Sequence, residues 1–249
     1  MATGEPRWRE RFHHELPGFT QVPFGDPAAL DAALGDDTAA LILETIPATL
    51  GMPLPPPGYH ARAAQLCRER GVLLVLDEVQ TGLGRCGTVW AHEQDAVEPD
   101  LITTGKGLSG GLYPIAATLM RPEIHALYAE DPFIHISTFG GAEPGCAAAL
   151  AVLDVIQAPG FLERVEAVGA EIEAGLAGLG CEIRRRGLFL GLKFPGEGDG
   201  IGAARRLFDH GIFAVFAAND PSVTQFLPPL VITDAEAQAI VEAARAALG

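Results

Sequence analysis

Two side chains that could do chemistry stand at the ends of apolar runs. Lys106 lies between glycines in "DLITTGKGLSGG", and Asp77 ends "VLLVLD". A lysine amine can lose its proton and attack a carbonyl carbon, whereas a guanidinium stays protonated and cannot. Of the 17 lysines and arginines, only Lys106 and Lys193 are lysine. Where arginine serves for plain charge, a retained lysine invites a chemical reason. A compositional bias against lysine, or a simple surface charge on a loop, is the plain alternative. An aspartate at the end of a buried strand is costly without a partner. If both runs are parallel strands, Asp77 and Lys106 emerge at one rim of the sheet. They would then form a direct salt bridge or flank a bound group.

A cofactor with an aldehyde for the lysine and a basic ring nitrogen for the aspartate meets that description. Pyridoxal phosphate is such a group: its ring accepts electrons from a substrate carbanion when the ring nitrogen is protonated, and an anionic Asp77 keeps that proton in place. The lysine, displaced by a substrate amine, is then free to move the proton between carbon atoms. A nucleotide-binding P-loop is excluded. That pattern needs a glycine where Asp100 stands and a serine or threonine where Gly107 stands.

The elements that must position these residues follow from pattern. "AALILETIP" and "GVLLVLDEVQ" read as parallel strands buried on both faces. Between them "PGYHARAAQLCRERG" reads as a helix, with Gly71 as its stop. The three make a right-handed βαβ unit. "PDLITTG" and "YPIAATLM" are further strands, so the fold class is α/β, a mostly parallel sheet flanked by helices. From about Gly145 the character changes to two consecutive helices. Strands in "RRRGLFLGLKF" and "GIFAVFAA" follow, with a glycine-rich turn "PGEGDGIG" and a last helix opened by the capping box Thr233 to Glu236. The expected division is a large-domain portion over 1–157 and a smaller α+β domain over 158–249.

Composition bounds the function. The chain has 249 residues, 48% of them hydrophobic, enough for a core. Seventeen basic residues against 32 acidic give a net charge of -15, which repels nucleic acid and anionic membranes. The N-terminus lacks a signal-peptide core and no apolar run reaches spanning length, so a cytoplasmic protein is expected. Cys67, Cys86, Cys146 and Cys181 show neither zinc-ligand nor disulfide-framework spacing, and no metal site is expected. His13 and His14 are expected in a solvated approach rather than in a catalytic pair.

The blocks "LLVLDEVQTGLGRCGTVWA", "PDLITTGKGLSGGLYPIAA", "ISTFGGAEPGCAAALAVL" and "LPPLVIT" resemble, in order, those of class III aminotransferases of pyridoxal phosphate fold type I, the group of the ornithine and other omega-aminotransferases. The similarity runs from about Pro17 to the C-terminus. It implies that Lys106 is the Schiff-base lysine and Asp77 the partner of the pyridine nitrogen. Val79 would pack on the ring face, and Gln80 would bond the ring hydroxyl. Thr138 would reach the cofactor phosphate of a neighbouring protomer, so that dimerisation builds the site.

Three departures bear on function. Gln225 stands where many members carry an arginine that clamps a substrate carboxylate, and an uncharged amide cannot replace that charge. "ETIPATLG" keeps Glu44 but places Thr45, Ala48 and Thr49 where other residues are usual, which counts against ornithine-type specificity. The resemblance covers only the C-terminal part of a fold type I enzyme, so an incomplete large domain, without the loop and helix N-terminus that would cradle the phosphate, is expected. The expectation is the C-terminal half of a split transaminase, completed by a separate N-terminal chain as a dimer of such pairs. It would act on small amines and carbonyl acceptors. A non-catalytic binding or regulatory partner of a complete aminotransferase is the alternative, as is a pyridoxal phosphate enzyme catalysing another reaction at an amine-bearing carbon.

Overall fold

The computed structural model describes residues 9–11 and 17–249; His13 and His14 lie outside them. Helix α1 (Pro27–Ala33) starts where Asp26 accepts hydrogen bonds from the amides of Ala28 and Ala29 at 2.9 and 3.0 Å. Strand β1 (Ala40–Glu44), helix α2 (Tyr59–Arg70) and strand β2 (Leu73–Asp77) form the expected βαβ unit. Gly58 and Gly71 bound α2 in left-handed conformation, and the helix buries Ala63, Ala64, Leu66 and Cys67. Strand β3 (Leu101–Thr104) continues the sheet in parallel, and β4 (Ala117–Met120) closes it antiparallel, in the order β1-β2-β3-β4. Only the second half of "YPIAATLM" is strand. Pro114 has no amide proton to give a ladder and stays outside.

The strands are not buried on both faces as their composition predicts. Along β1 and β2 burial alternates, with Leu41, Leu43, Leu74 and Leu76 inside and Ile42 56% exposed. Helix α2 covers one face, and no described residue shields Ile42 on the other. The expectation rested on apolar content, which says what a face requires rather than what covers it.

Helices α3 (Pro122–Glu130), α4 (Glu143–Ile156) and α5 (Phe161–Leu176) follow β4. The second sheet, in the order β5-β6-β8-β7, is wholly antiparallel: β5 (Glu182–Arg186), β6 (Phe189–Lys193), β7 (Val215–Ala217) and β8 (Asp220–Phe226). "RRRGLFLGLKF" is therefore two strands, folded back at Gly187. Helix α6 (Asp199–Asp209) occupies part of the expected glycine-rich turn. Its Gly200 lies so close to β8 that a Cβ would sit 2.5 Å from the Val223 nitrogen, so this glycine serves close packing rather than chain reversal. Helix α7 (Asp234–Leu248) opens with the predicted capping box, Thr233 N to Glu236 Oε2 at 2.8 Å and Glu236 N to Thr233 Oγ1 at 3.2 Å. Val165, Ile172, Leu176, Leu190, Leu192 and Leu207 centre the core of this half. Among the described residues no single helix is long and apolar enough to cross a membrane.

Candidate active site

Parallel pairing brings the carboxyl ends of three strands together. Glu44 is in register with Asp77, and Asp77 with Thr103, so Lys106, three residues beyond Thr103, leaves the same rim as both carboxylates. Glu78 N donates to Thr103 O at 2.9 Å and locks the exit of β2 to that of β3. Lys106 begins a short 3-10 turn, Lys106–Ser109, on which α4 packs.

Lys106 has φ 44°, in the left-handed region that a non-glycine residue occupies only when its surroundings hold it there. Its side chain is exposed, and its Nζ donates to Gln80 Oε1 at 2.5 Å. Gln80 Nε2 donates in turn to Gln225 Oε1 at 3.0 Å. A line of hydrogen bonds thus runs from the lysine to β8 of the second sheet. Gln225 is buried there, 6% exposed. The direct salt bridge between Lys106 and Asp77, one of the two arrangements expected, is not formed. The amine is turned to the neutral amide. Asp77 is half-buried, and its Oδ1 accepts from Val79 N at 2.9 Å in a local turn. Val79 itself lies beside Gly105, where a Cβ would meet its Cγ1 at 3.7 Å.

Glu44 completes the rim. Burial pushes its carboxyl above the usual range; the Ala48 amide, donating at 3.1 Å, opposes this. The Asp77 charge adds to the rise at Glu44 and the Lys106 charge counters it. Thr138 sits in the exposed segment between α3 and α4, beside Phe139 at 81% exposure. The loop after Asp77 is tied to the second sheet. Arg85 Nη1 donates to Leu188 O at 3.0 Å and to Pro228 O at 2.6 Å, and burial lowers its pKa to about 10.

Sequence reasoning passed over Glu78. It is fully buried and collects donors from Thr45, Thr81, Ala91 and His92. The signal was present: two consecutive carboxylates at a strand end point to opposite sides, so only one of them can face the crevice.

An exposed amine, a carboxylate whose second oxygen accepts no hydrogen bond among the described residues, and an amide that receives the amine suit an aldehyde cofactor with a basic ring nitrogen. Thr104, two residues before the lysine, adds a buried hydroxyl without a partner among the described residues, hydrogen-bonding capacity still to be used. Among those residues no group of histidine, cysteine or acidic side chains is arranged to hold a metal.

The model of the family described as aminotransferase class-III matches residues 1–248. An uncharacterized aminotransferase of Archaeoglobus fulgidus is 48% identical over 248 residues, 97% of this chain and 58% of the relative. The ornithine aminotransferase of Toxoplasma gondii, whose structure has partial occupancy of PLP at its active site, superposes with a TM-score of 0.89 at 34% identity, over 96% of this chain and 57% of that one. The acetylornithine aminotransferase of Elizabethkingia anophelis does so with a TM-score of 0.85 at 32% identity, over 93% and 60%. The chain thus spans little more than half the length of these relatives. By the extent of these matches, this chain belongs to the class III aminotransferase family.

Proposed function

We propose that the chain is the lysine-bearing C-terminal half of a pyridoxal phosphate-dependent transaminase. An N-terminal half on a separate chain completes it, and such pairs dimerise. The observation that carries the reading is the Lys106 amine at the rim it shares with Asp77 and Glu44, held by Gln80. Apolar surface supports the need for a companion: Ile42 on the open sheet face and Phe133, Ile134, Ile136 and Phe139 between α3 and α4 are all more than half exposed. We place the division between the two units after residue 157, between α4, which packs on the Lys106 turn, and α5, which packs on β5.

Bound in this site, pyridoxal phosphate supplies an electron sink for charge developing at the substrate carbon. Lys106 Nζ is the group that holds the cofactor, and when freed it is the base that moves a proton at that carbon. Asp77 holds the proton on the ring nitrogen. Val79 would pack against the cofactor ring, Gln80 would bond its hydroxyl, and Thr138 would serve the phosphate of a neighbouring protomer. The substrates are a small amine and a carbonyl acceptor. Gln225 offers an amide where a carboxylate clamp needs a cation, so the ornithine specificity of the Toxoplasma relative is not carried over. With Glu44 half-buried at the rim, this favours donors without an α-carboxylate.

The test is reconstitution: the chain is mixed with a candidate N-terminal half, pyridoxal phosphate, an amine donor and a carbonyl acceptor, and amino transfer is followed. Turnover that needs both chains and is lost in Lys106→Ala supports the proposal. Complex formation without Lys106-dependent turnover favours a regulatory partner, the reading that the same exposed apolar surface would serve. Neither complex nor turnover contradicts both.

A further inference from the structure

The buried carboxylate of Glu78 has no part in the chemistry above, yet it is the most heavily bonded side chain near the lysine. Its Oε1 accepts from Thr45 Oγ1 at 2.9 Å and His92 N at 2.9 Å, and lies 3.1 Å from His92 Nδ1. Its Oε2 accepts from Thr81 Oγ1 at 2.6 Å and Ala91 N at 3.1 Å. Hydroxyls and amides converge on both oxygens, an arrangement that suits an acceptor-only group such as an ionised carboxylate. An uncharged amide in its place would turn two N–H donors toward donors and leave buried groups unpaired.

These bonds act on the segment that holds Lys106. Glu78 O accepts from Gly82 N at 3.0 Å, so the turn from Glu78 to Gly82 is closed by the main chain, while the carboxylate grips Thr81 from within it. Gln80, which receives the lysine amine, is the residue between those grips. On its other side the Glu78 amide is bonded to Thr103, on the strand that leads to Lys106.

We infer that Glu78 is a positioning residue: its buried carboxylate fixes the 78–82 turn so that Gln80 meets the Lys106 amine and reaches Gln225. The inference rests on Lys106 being the working lysine, but it concerns the placement of the amine before any cofactor binds. It can therefore be tested without one.

The probe is acetic anhydride on the purified full chain, with acetylation of Lys106 and Lys193 followed by mass spectrometry. Lys193, held by Asp220 at 3.0 Å and Ser222 at 2.5 Å, is the internal reference. In Glu78→Gln, Lys106 is released from Gln80, and its acetylation relative to Lys193 rises about fivefold or more. Gln80→Ala gives the same rise, and the double variant gives no more than Gln80→Ala alone, because one residue acts through the other. Glu78→Asp, which keeps the charge, falls between. Thr81→Val, which removes only one donor, gives a smaller rise and serves if Glu78→Gln does not fold. An unchanged ratio in folded Glu78→Gln or Thr81→Val, effects that multiply in the double variant, or a parallel rise at Lys193 would each overturn the inference. Failure of pyridoxal phosphate to attach at Lys106 would overturn the functional reading and leave this result standing.

Discussion

Gln80 and Gln225 are 145 positions apart in the chain and joined by a hydrogen bond of 3.0 Å. This bond ties the segment after β2 to β8 and ends the line that starts at Lys106. Gln225→Leu keeps approximate volume and removes the acceptor, leaving the Gln80 amide without its partner. A loss of about 1–2 kcal/mol in stability is expected, measured by denaturant unfolding at neutral pH.

The junction between the segment after β2 and the turn from β5 to β6 also depends on one glycine. Gly187 has φ 56°, and a Cβ there would stand 2.6 Å from the Cys86 carbonyl carbon and the Gly87 nitrogen. Those neighbours are backbone and cannot swing away, so Gly187→Ala is expected to destabilise by more than about 2 kcal/mol. The same unfolding measurement checks it, with Gly178→Ala, where nothing lies within 4 Å, as the control for backbone strain alone.

Asp95 gives a prediction in pH. Burial pushes its carboxyl up, but His60 Nδ1 at 2.8 Å and Arg186 at 3.1 and 3.3 Å outweigh burial and hold it at about 2. A carboxyl lowered in the folded state stabilises the fold fully above its unfolded value of about 4 and loses that contribution as pH falls toward the folded value. The stability gap between the parent chain and Asp95→Asn is therefore expected to shrink as pH falls from about 4 to 2. Thermal melts of the pair across that range test this, and a gap that widened with acid would contradict it.

For the reconstituted enzyme, Asp77→Asn retains shape and removes charge. Its second oxygen is the group proposed to hold the ring-nitrogen proton, so turnover is expected to fall by on the order of a hundredfold or more. The cofactor should still attach to Lys106. Equal turnover in the variant would remove Asp77 from the mechanism.

Much of this site was legible in sequence because its elements are strongly patterned. The apolar runs ending at Asp77 and preceding Lys106 are strands, and their parallel pairing alone brings both residues to one rim. The helix between the first two strands and the capping box at Thr233 were equally plain. Where local composition and tertiary role diverge, the reading failed. The glycines of "PGEGDGIG" suggested a turn, but Gly200 is small so that α6 can lie on β8. Strand β8 carries Ser222, Thr224 and Gln225, polar residues that are nonetheless buried because each has a partner, so no apolar alternation announced it. Glu78 was hidden beside Asp77, since its partners Ala91 and His92 come from a turn that only the folded chain brings near.

The central claim is that Lys106 is the residue to which pyridoxal phosphate attaches, and a chain with two lysines allows a direct test. The protein is incubated with pyridoxal phosphate, with and without the N-terminal half, reduced with borohydride and mapped by mass spectrometry. The account predicts a pyridoxyl group on Lys106 when the N-terminal half is present, none on Lys193, and none in Lys106→Ala. Label on Lys193 alone, label shared equally between the two lysines, or no label on Lys106 with the N-terminal half present would contradict it.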